Sequence, residues 1–292
     1  MKRQTTATLL FIFLLAGTMV YGQSKYYGEE ASPPICPRWA FEPWIWEDNG
    51  NTRGSVMELV HGYKAHNIPA GVILIDSPWQ TAYNTFQPDT IRYPDYAGLI
   101  NELHSQGLRV IMWMTGMFNK TASDVPLGKH PQYDWIKEQG YVVDNGKDHN
   151  WWKGKGMHID LTNDEATDWW HKQMKNILDK GIDGWKVDGT ADAVNDPVLT
   201  SKGKMPIEEF TPLYYKDVYE YTVSENPNAI TMNRPYSHQA DTETGFEAPI
   251  AQCAVGWCGD FKGNWEGLQH QLDNIYRSAQ AGYGALACEV GG

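Results

Sequence analysis

The sequence runs to 292 residues, with 36 acidic against 24 basic side chains and a formal net charge of −12. That balance excludes a polyanionic partner such as nucleic acid, whose binding rests on clustered Lys and Arg. Hydrophobic residues make up 41% of the chain, ample for one sizeable core. Thirteen Trp and sixteen Tyr offer flat apolar faces that suit sugar rings but are equally ordinary core and interface material.

The N-terminus has the layout of a secretory signal. Lys2-Arg3 precede the apolar run 9–15, and Val20-Tyr21-Gly22 place small residues at the cleavage positions. The expected division is a signal peptide over 1–22 and a single catalytic domain over 23–292, secreted or periplasmic after cleavage. The apolar run is too short to span a bilayer stably and no other segment is long enough, so stable membrane insertion is not expected. The four cysteines, Cys36, Cys253, Cys258 and Cys288, are sparse for a disulfide scaffold. They lack CxxC or Cys/His spacing for zinc, and read as buried thiols in or near strands.

Residues 38–46 form an aromatic strand candidate followed by the polar loop 47–52. Residues 55–66 have helical spacing through Val56, Leu59, Val60 and Tyr63. The continuous apolar run 71–75 ends at Asp76, as in a parallel strand covered on both faces. Asp95 caps a helix with Leu99, Ile100 and Leu103 inward, closed by Gly107. Residues 109–113 are the next buried strand, ending at Trp113. Segment 119–158, rich in Gly, Lys and Trp, breaks the rhythm, and long irregular segments inside a compact domain tend to be functional loops or small excursions. Within it Gly154-Lys155-Gly156 reads as a solvent-exposed loop rather than a phosphate cradle.

Thr162-Asn163-Asp164-Glu165 reads as a capping box for a helix reaching Lys180. Residues 185–188 are a short strand on which Lys186 and Asp188 share one face, Trp185 and Val187 the other. Asp188 at the C-terminal lip suits the chemistry of an α/β barrel, or alternatively caps the next helix. Residues 206–226 are helical, 229–233 a strand ending at Arg234, 250–257 a strand leading to Asp260, 265–282 a helix, and 285–290 a strand carrying Glu289. Seven strands thus alternate with helices. Alternation on this scale predicts an α/β fold, a (β/α)8 TIM barrel lacking its eighth strand, with an open doubly wound sheet as the competing form. No GxGxxG follows an early strand and no P-loop is present, and no His pair has metal spacing, so neither a cofactor nor a metal is expected.

The strand ends collect Asp76, Trp113, Asp188, Arg234, Asp260 and Glu289. Acids dominate, and no Ser or Cys sits in a nucleophile elbow. Two carboxylates facing each other across a pocket are what glycoside cleavage requires, and clustered titratable groups at one lip favour that reading over caps or metal ligands. Four blocks resemble glycoside hydrolase family 31 over roughly 38–292. Ile68-Pro69 through Asp76, with Phe86 and Tyr93-Pro94-Asp95, resembles the family's subsite acid and the segment after it. Ile159-Asp160-Leu161-Thr162-Asn163 with Ala166 and Trp169-Trp170 resembles its "DFTNPEA..WW" run. Asp183 to Asp188 resembles its nucleophile strand. Asn233-Arg234, Trp257-Cys258-Gly259-Asp260, Trp265 and Leu268 resemble its acid/base block.

The resemblance implies a secreted retaining α-glycosidase acting by double displacement on terminal non-reducing α-linked sugars of oligo- or polysaccharides. Asp188 would be nucleophile and Asp260 acid/base, about 5 to 5.5 Å apart. Asp76 would hold distal hydroxyls of the sugar. Trp113, Lys186, Arg234, Trp257 and Glu289 would complete the substrate-binding set. Arg234 would fork onto Asp260 or a sugar hydroxyl. Lys186 would either help keep Asp188 charged or form a structural ion pair inside the barrel. The alternatives are a transglycosylase or lyase on the same scaffold, or a non-catalytic sugar-binding fragment. Departures are Glu289-Val290-Gly291-Gly292 where the family usually reads Asp-Ile-Gly-Gly, and the lack of a β-sandwich ahead of the barrel and of the eighth strand and C-terminal sandwiches after it. A barrel open in this way is expected to fold poorly alone.

Overall fold

The computed structural model describes residues 31–189, 194–237 and 244–288. The signal expected over 1–22 and the acid at Glu289 lie outside the described residues. In chain order the elements are β1 (Trp44–Glu47), α1 (Arg53–Ala65), β2 (Val72–Ile75), α2 (Tyr96–Ser105), β3 (Arg109–Thr115), β4 (Met117–Thr121), α3 (Tyr133–Glu138), β5 (His149–Trp151), β6 (Gly154–His158), α4 (Asp164–Leu178), β7 (Gly184–Asp188), β8 (Val198–Thr200), β9 (Gly203–Met205), α5 (Ile207–Glu225), β10 (Ile230–Asn233), β11 (Val255–Trp257), α6 (Trp265–Ala281) and β12 (Ala285–Ala287).

One sheet runs in the order β1-β2-β3-β7-β10-β11-β12, every pairing parallel. The strands advance in one direction around the sheet without the order reversal that defines a doubly wound fold. This is the TIM-barrel arrangement, with seven strands among the described residues. The chain gets from β3 to β7 through a small antiparallel sheet, β4-β6-β5, which occupies the segment that broke the sequence rhythm. Among the described residues no helix is long and apolar enough to cross a membrane.

Side-chain alternation divides the core into two layers. Ile73 and Ile75 of β2, Val110, Met112 and Met114 of β3, and Trp185 and Val187 of β7 face the helices. Val72, Leu74, Ile111, Ile230, Met232, Val255 and Trp257 fill the barrel interior. Because strand side chains alternate with period two, Lys186 and Asp188 fall on the interior face, as their spacing predicts.

Local departures from the sequence reading have identifiable causes. Residues 38–46 are not one strand: Arg38–Phe41 forms a 3-10 turn after Pro37, and β1 begins only past Pro43. Of 250–257 only Val255–Trp257 pairs in the sheet, because Ile250–Gln252 is a 3-10 turn after Pro249. At α4 the cap is Asn163, whose side chain accepts from the Glu165 and Ala166 amides, while Thr162 turns its hydroxyl to Asp160 Oδ1 at 2.6 Å. Gly154-Lys155-Gly156 opens β6 rather than lying in a loop. A Cβ at Gly156 would sit 2.3 Å from the Phe118 carbonyl oxygen, so glycine permits the close approach of β4. Cys253 and Cys258 are buried, and the Cys36 thiol donates to the Ala254 carbonyl at 2.7 Å.

Candidate active site

The C-terminal ends of the strands surround a cleft of about 300 Å³, lined among others by Asp76, Trp113, Lys186, Asp188, Trp257 and Asp260. Six of the side chains singled out in the sequence therefore meet in one place. Asp76 follows the last residue of β2, Asp188 ends β7, and Trp257 ends β11. Asp260 follows Gly259, whose φ of 98° is in the left-handed region that suits glycine.

Arg234, directly after β10, stands behind the cleft. Its Nε and Nη2 donate to Asp188 Oδ1 at 3.1 and 2.9 Å, and Nη2 also lies 3.7 Å from Asp260 Oδ2. The fork expected onto Asp260 or a sugar hydroxyl makes its shorter contacts, in the structure, to Asp188. The second oxygen of Asp188 accepts from Trp113 Nε1 at 3.1 Å. Burial opposes the charge of the guanidinium, but Asp188 and further acids around it, Glu247 and Asp260 among them, hold it firmly protonated. The two acids differ in their access to water: the Asp188 side chain is 9% exposed and that of Asp260 58%.

Lys186 is one layer deeper, and its ammonium binds Asp76 Oδ2 at 2.8 Å. Lys186 thus forms a buried ion pair with Asp76, as one of its two expected roles has it. The carboxylate of Asp76 also accepts from Trp46 Nε1 at 2.9 Å and the Ser77 amide at 2.7 Å. The Lys186 ammonium and the Arg234 guanidinium each lie over the Trp257 ring, 3.9 and 3.8 Å from its centroid, close enough for cation–π attraction. Trp257 thereby fixes both cations relative to the two acids.

The cleft also contains residues the sequence reading passed over: Asp48, Asn49, Ser77, Trp152, Lys153 and Phe261. Burial, then the nearby charge of Asp76, raises the Asp48 carboxyl above its usual range. Asp48 and Asn49 sit in the loop after β1, and Trp152 with Lys153 forms the turn joining β5 to β6. Lys153 Nζ reaches Asn49 Oδ1 at 2.8 Å and Asp124 Oδ2 at 3.2 Å. The available signal was positional: a loop that follows a barrel strand faces the C-terminal mouth, and the Trp151-Trp152 pair fell in the one excursion.

The sequence profile of the "Glycosyl hydrolases family 31 TIM-barrel domain" matches residues 33–292. The chain belongs to glycoside hydrolase family 31. An alpha-xylosidase of Emericella nidulans is 25% identical over 274 residues, covering 89% of this chain and 33% of the relative. Alpha-xylosidase XylQ of Lactiplantibacillus pentosus is 27% identical over 202 residues, 65% of this chain and 26% of the relative. The chain therefore spans a quarter to a third of these curated family members. Among solved structures, the cycloalternan-degrading enzyme from Trueperella pyogenes superimposes with a TM-score of 0.77 at 22% identity, covering 94% of this chain and 41% of that one. The family 31 dextranase of Flavobacterium johnsoniae does so with a TM-score of 0.75 at 19% identity, over 89% and 33%. These two likenesses concern the barrel fold.

Proposed function

We propose that this chain is the catalytic barrel of an exported retaining α-glycosidase that releases terminal α-linked sugars from oligo- or polysaccharides. The observation that carries this is the placement of Asp188 and Asp260 at one cleft mouth, both within reach of one guanidinium, in a family 31 barrel. Asp188 attacks the anomeric carbon and forms a glycosyl ester. Three donor contacts from Arg234 and Trp113 fix its orientation, which matters because misplacement of a nucleophile is costly in rate. Asp260, the more exposed acid, protonates the departing oxygen and then deprotonates the incoming water. Asp76, aligned by Lys186 and Trp46, accepts hydrogen bonds from hydroxyls of the bound sugar.

Transfer to a sugar acceptor is the second reading, since an isomaltosyltransferase of Sporosarcina globispora is 21% identical over 304 residues and the two outcomes share the glycosyl ester. The deciding experiment incubates the protein with nitrophenyl α-glucoside, α-xyloside and α-galactoside and follows the first anomer by NMR. Release of an α-configured sugar supports hydrolysis with retention, and α-linked oligomers support transfer. No turnover of any of the three, or a β-configured first product, overturns the proposal.

A further inference from the structure

Cys258 and Cys288 each follow directly on a strand, β11 and β12, and both are thiols in the structure. The parallel register runs Val255 to Ala285, Gly256 to Leu286 and Trp257 to Ala287. The ladder continues past the strand ends, since the Cys258 amide donates to the Ala287 carbonyl at 3.0 Å. The next rung therefore sets Cys258 opposite Cys288.

Both side chains of that rung point the same way. Val255, Trp257, Ala285 and Ala287 pack in the barrel interior, so strand alternation turns Gly256, Cys258, Leu286 and Cys288 to the outer face. Two observations agree. A Cβ on Gly256 would sit 2.7 Å from Leu286 Cδ2, and the Cys258 thiol pairs with the Ser278 hydroxyl of α6. Adjacent strands lie about 4.8 Å apart, inside the range of about 4.4 to 6.8 Å that a disulfide spans between Cα atoms. Burial pushes the Cys258 thiol up to about 12, and Cys288 is close enough to add to the rise. The other two cysteines form no equivalent rung: Cys36 packs with the interior layer and Cys253 with the helix-facing one.

We propose that Cys258 and Cys288 are a disulfide-forming pair, a modification site at which a disulfide oxidant ties β12 covalently to the strand leading into Asp260. Cys258 is fully buried and Cys288 only partly, so the oxidant meets Cys288 first. The Cys288 thiolate attacks one sulfur of the oxidant, breaking its S–S bond and releasing one oxidant thiolate. The Cys258 thiolate then attacks Cys288 Sγ, forming the Cys258–Cys288 bond and releasing the second oxidant thiolate. Two electrons pass from the cysteines to the oxidant, and the two cysteine protons end, through solvent, on its two thiols. Among the described residues β12 pairs with β11 alone, so the bond secures a strand held from one side. It also closes a loop containing Asp260 and the whole of α6, and cross-linking such a loop stabilises the fold by restricting the unfolded chain.

The test equilibrates the full chain, without denaturant, in glutathione buffers from fully reduced to fully oxidised. Remaining thiols are trapped with N-ethylmaleimide after an acid quench, and the protein is digested with chymotrypsin, whose cleavage after Trp257 separates Cys258 from Cys253. Mass spectrometry is expected to find the Cys258 and Cys288 peptides joined and two hydrogens lighter than their sum, with Cys36 and Cys253 alkylated. The melting midpoint of the oxidised protein is expected about 5 °C or more above that of the dithiothreitol-treated protein. Cys288→Ser loses both the joined peptide and the rise, and the double variant Cys36→Ser/Cys253→Ser keeps both. The peptide measurement on the wild-type chain stands whether or not a variant folds. No joined peptide in the most oxidising buffer, a bond from either residue to Cys36 or Cys253 in its place, or a joined form that melts no higher than the reduced one overturns the proposal.

Discussion

Arg234 directs two nitrogens, Nε and Nη2, at the same oxygen of Asp188, at 3.1 and 2.9 Å. Both nitrogens hold one oxygen of the carboxylate, while the other oxygen accepts, among the described residues, from the Trp113 indole. Arg234→Lys retains a positive charge but loses the planar fork. With a charge-assisted hydrogen bond worth about 1.5–3 kcal/mol, the loss in kcat is expected at about 10- to 100-fold, with KM little changed. Steady-state kinetics on an aryl glycoside checks this, and a change confined to KM would assign Arg234 to substrate binding.

Asp188→Ala removes the proposed attacking group altogether. Turnover is expected to fall by about 10⁴-fold or more, and azide or formate to restore part of it on an activated substrate, with a product of inverted configuration. Near-native activity in this variant would overturn the central assignment.

Asp260→Ala is expected to discriminate among leaving groups. Substrates with poor leaving groups lose about 10²- to 10⁴-fold, the range of general acid catalysis, whereas dinitrophenyl glycosides cleave nearly as before in the first step. A loss independent of leaving-group pKa would place Asp260 in binding instead.

The Asp76–Lys186 pair is buried on both sides, with side chains 8% and 3% exposed. Removing one member takes from the other its buried counter-charge, at a cost of about 3–5 kcal/mol. Lys186→Met and Asp76→Asn should each lower the denaturation midpoint, and the double variant should recover much of the stability. Additive losses in urea titrations would show that the two residues act separately.

Much of this site was legible in the sequence because barrel chemistry is tied to strand ends, and strand ends carry local signals. The run before Asp76 and the GWKVD stretch announce their own termini, and period two puts Lys186 on the face of Asp188. Partner choice was not legible. Lys186 lies on the same strand as Asp188 yet binds Asp76, because neighbouring strands bring β2 and β7 side chains across the interior. Trp152 and Lys153 come from an antiparallel excursion whose fold over the mouth depends on long-range pairing of β4 with β6. The 3-10 turn at Ile250–Gln252 escaped because the stretch around it is mostly apolar, and apolar composition does not distinguish strand from turn.

His158 supplies the last prediction, which concerns pH and stability. Its ring is fully buried, Nδ1 lies 2.7 Å from the Ile159 carbonyl oxygen, and Nε2 has no hydrogen-bond partner among the described residues. Burial pushes the imidazole down to about 4 from an ordinary 6.5. Between these two values the unfolded chain binds a proton that the folded chain refuses, so stability rises with pH across that window and falls as the solution is acidified through it. The His158 contribution is complete above about pH 6.5 and lost progressively down to about pH 4, for a total of about 3 kcal/mol. His130, also pushed down to about 4 by burial, adds in the same direction. Urea denaturation at pH 7 and pH 4.5 should show a large loss in the wild-type protein and a smaller one in His158→Gln, which has no proton to gain. Equal losses in the two proteins would mean that His158 does not control acid sensitivity.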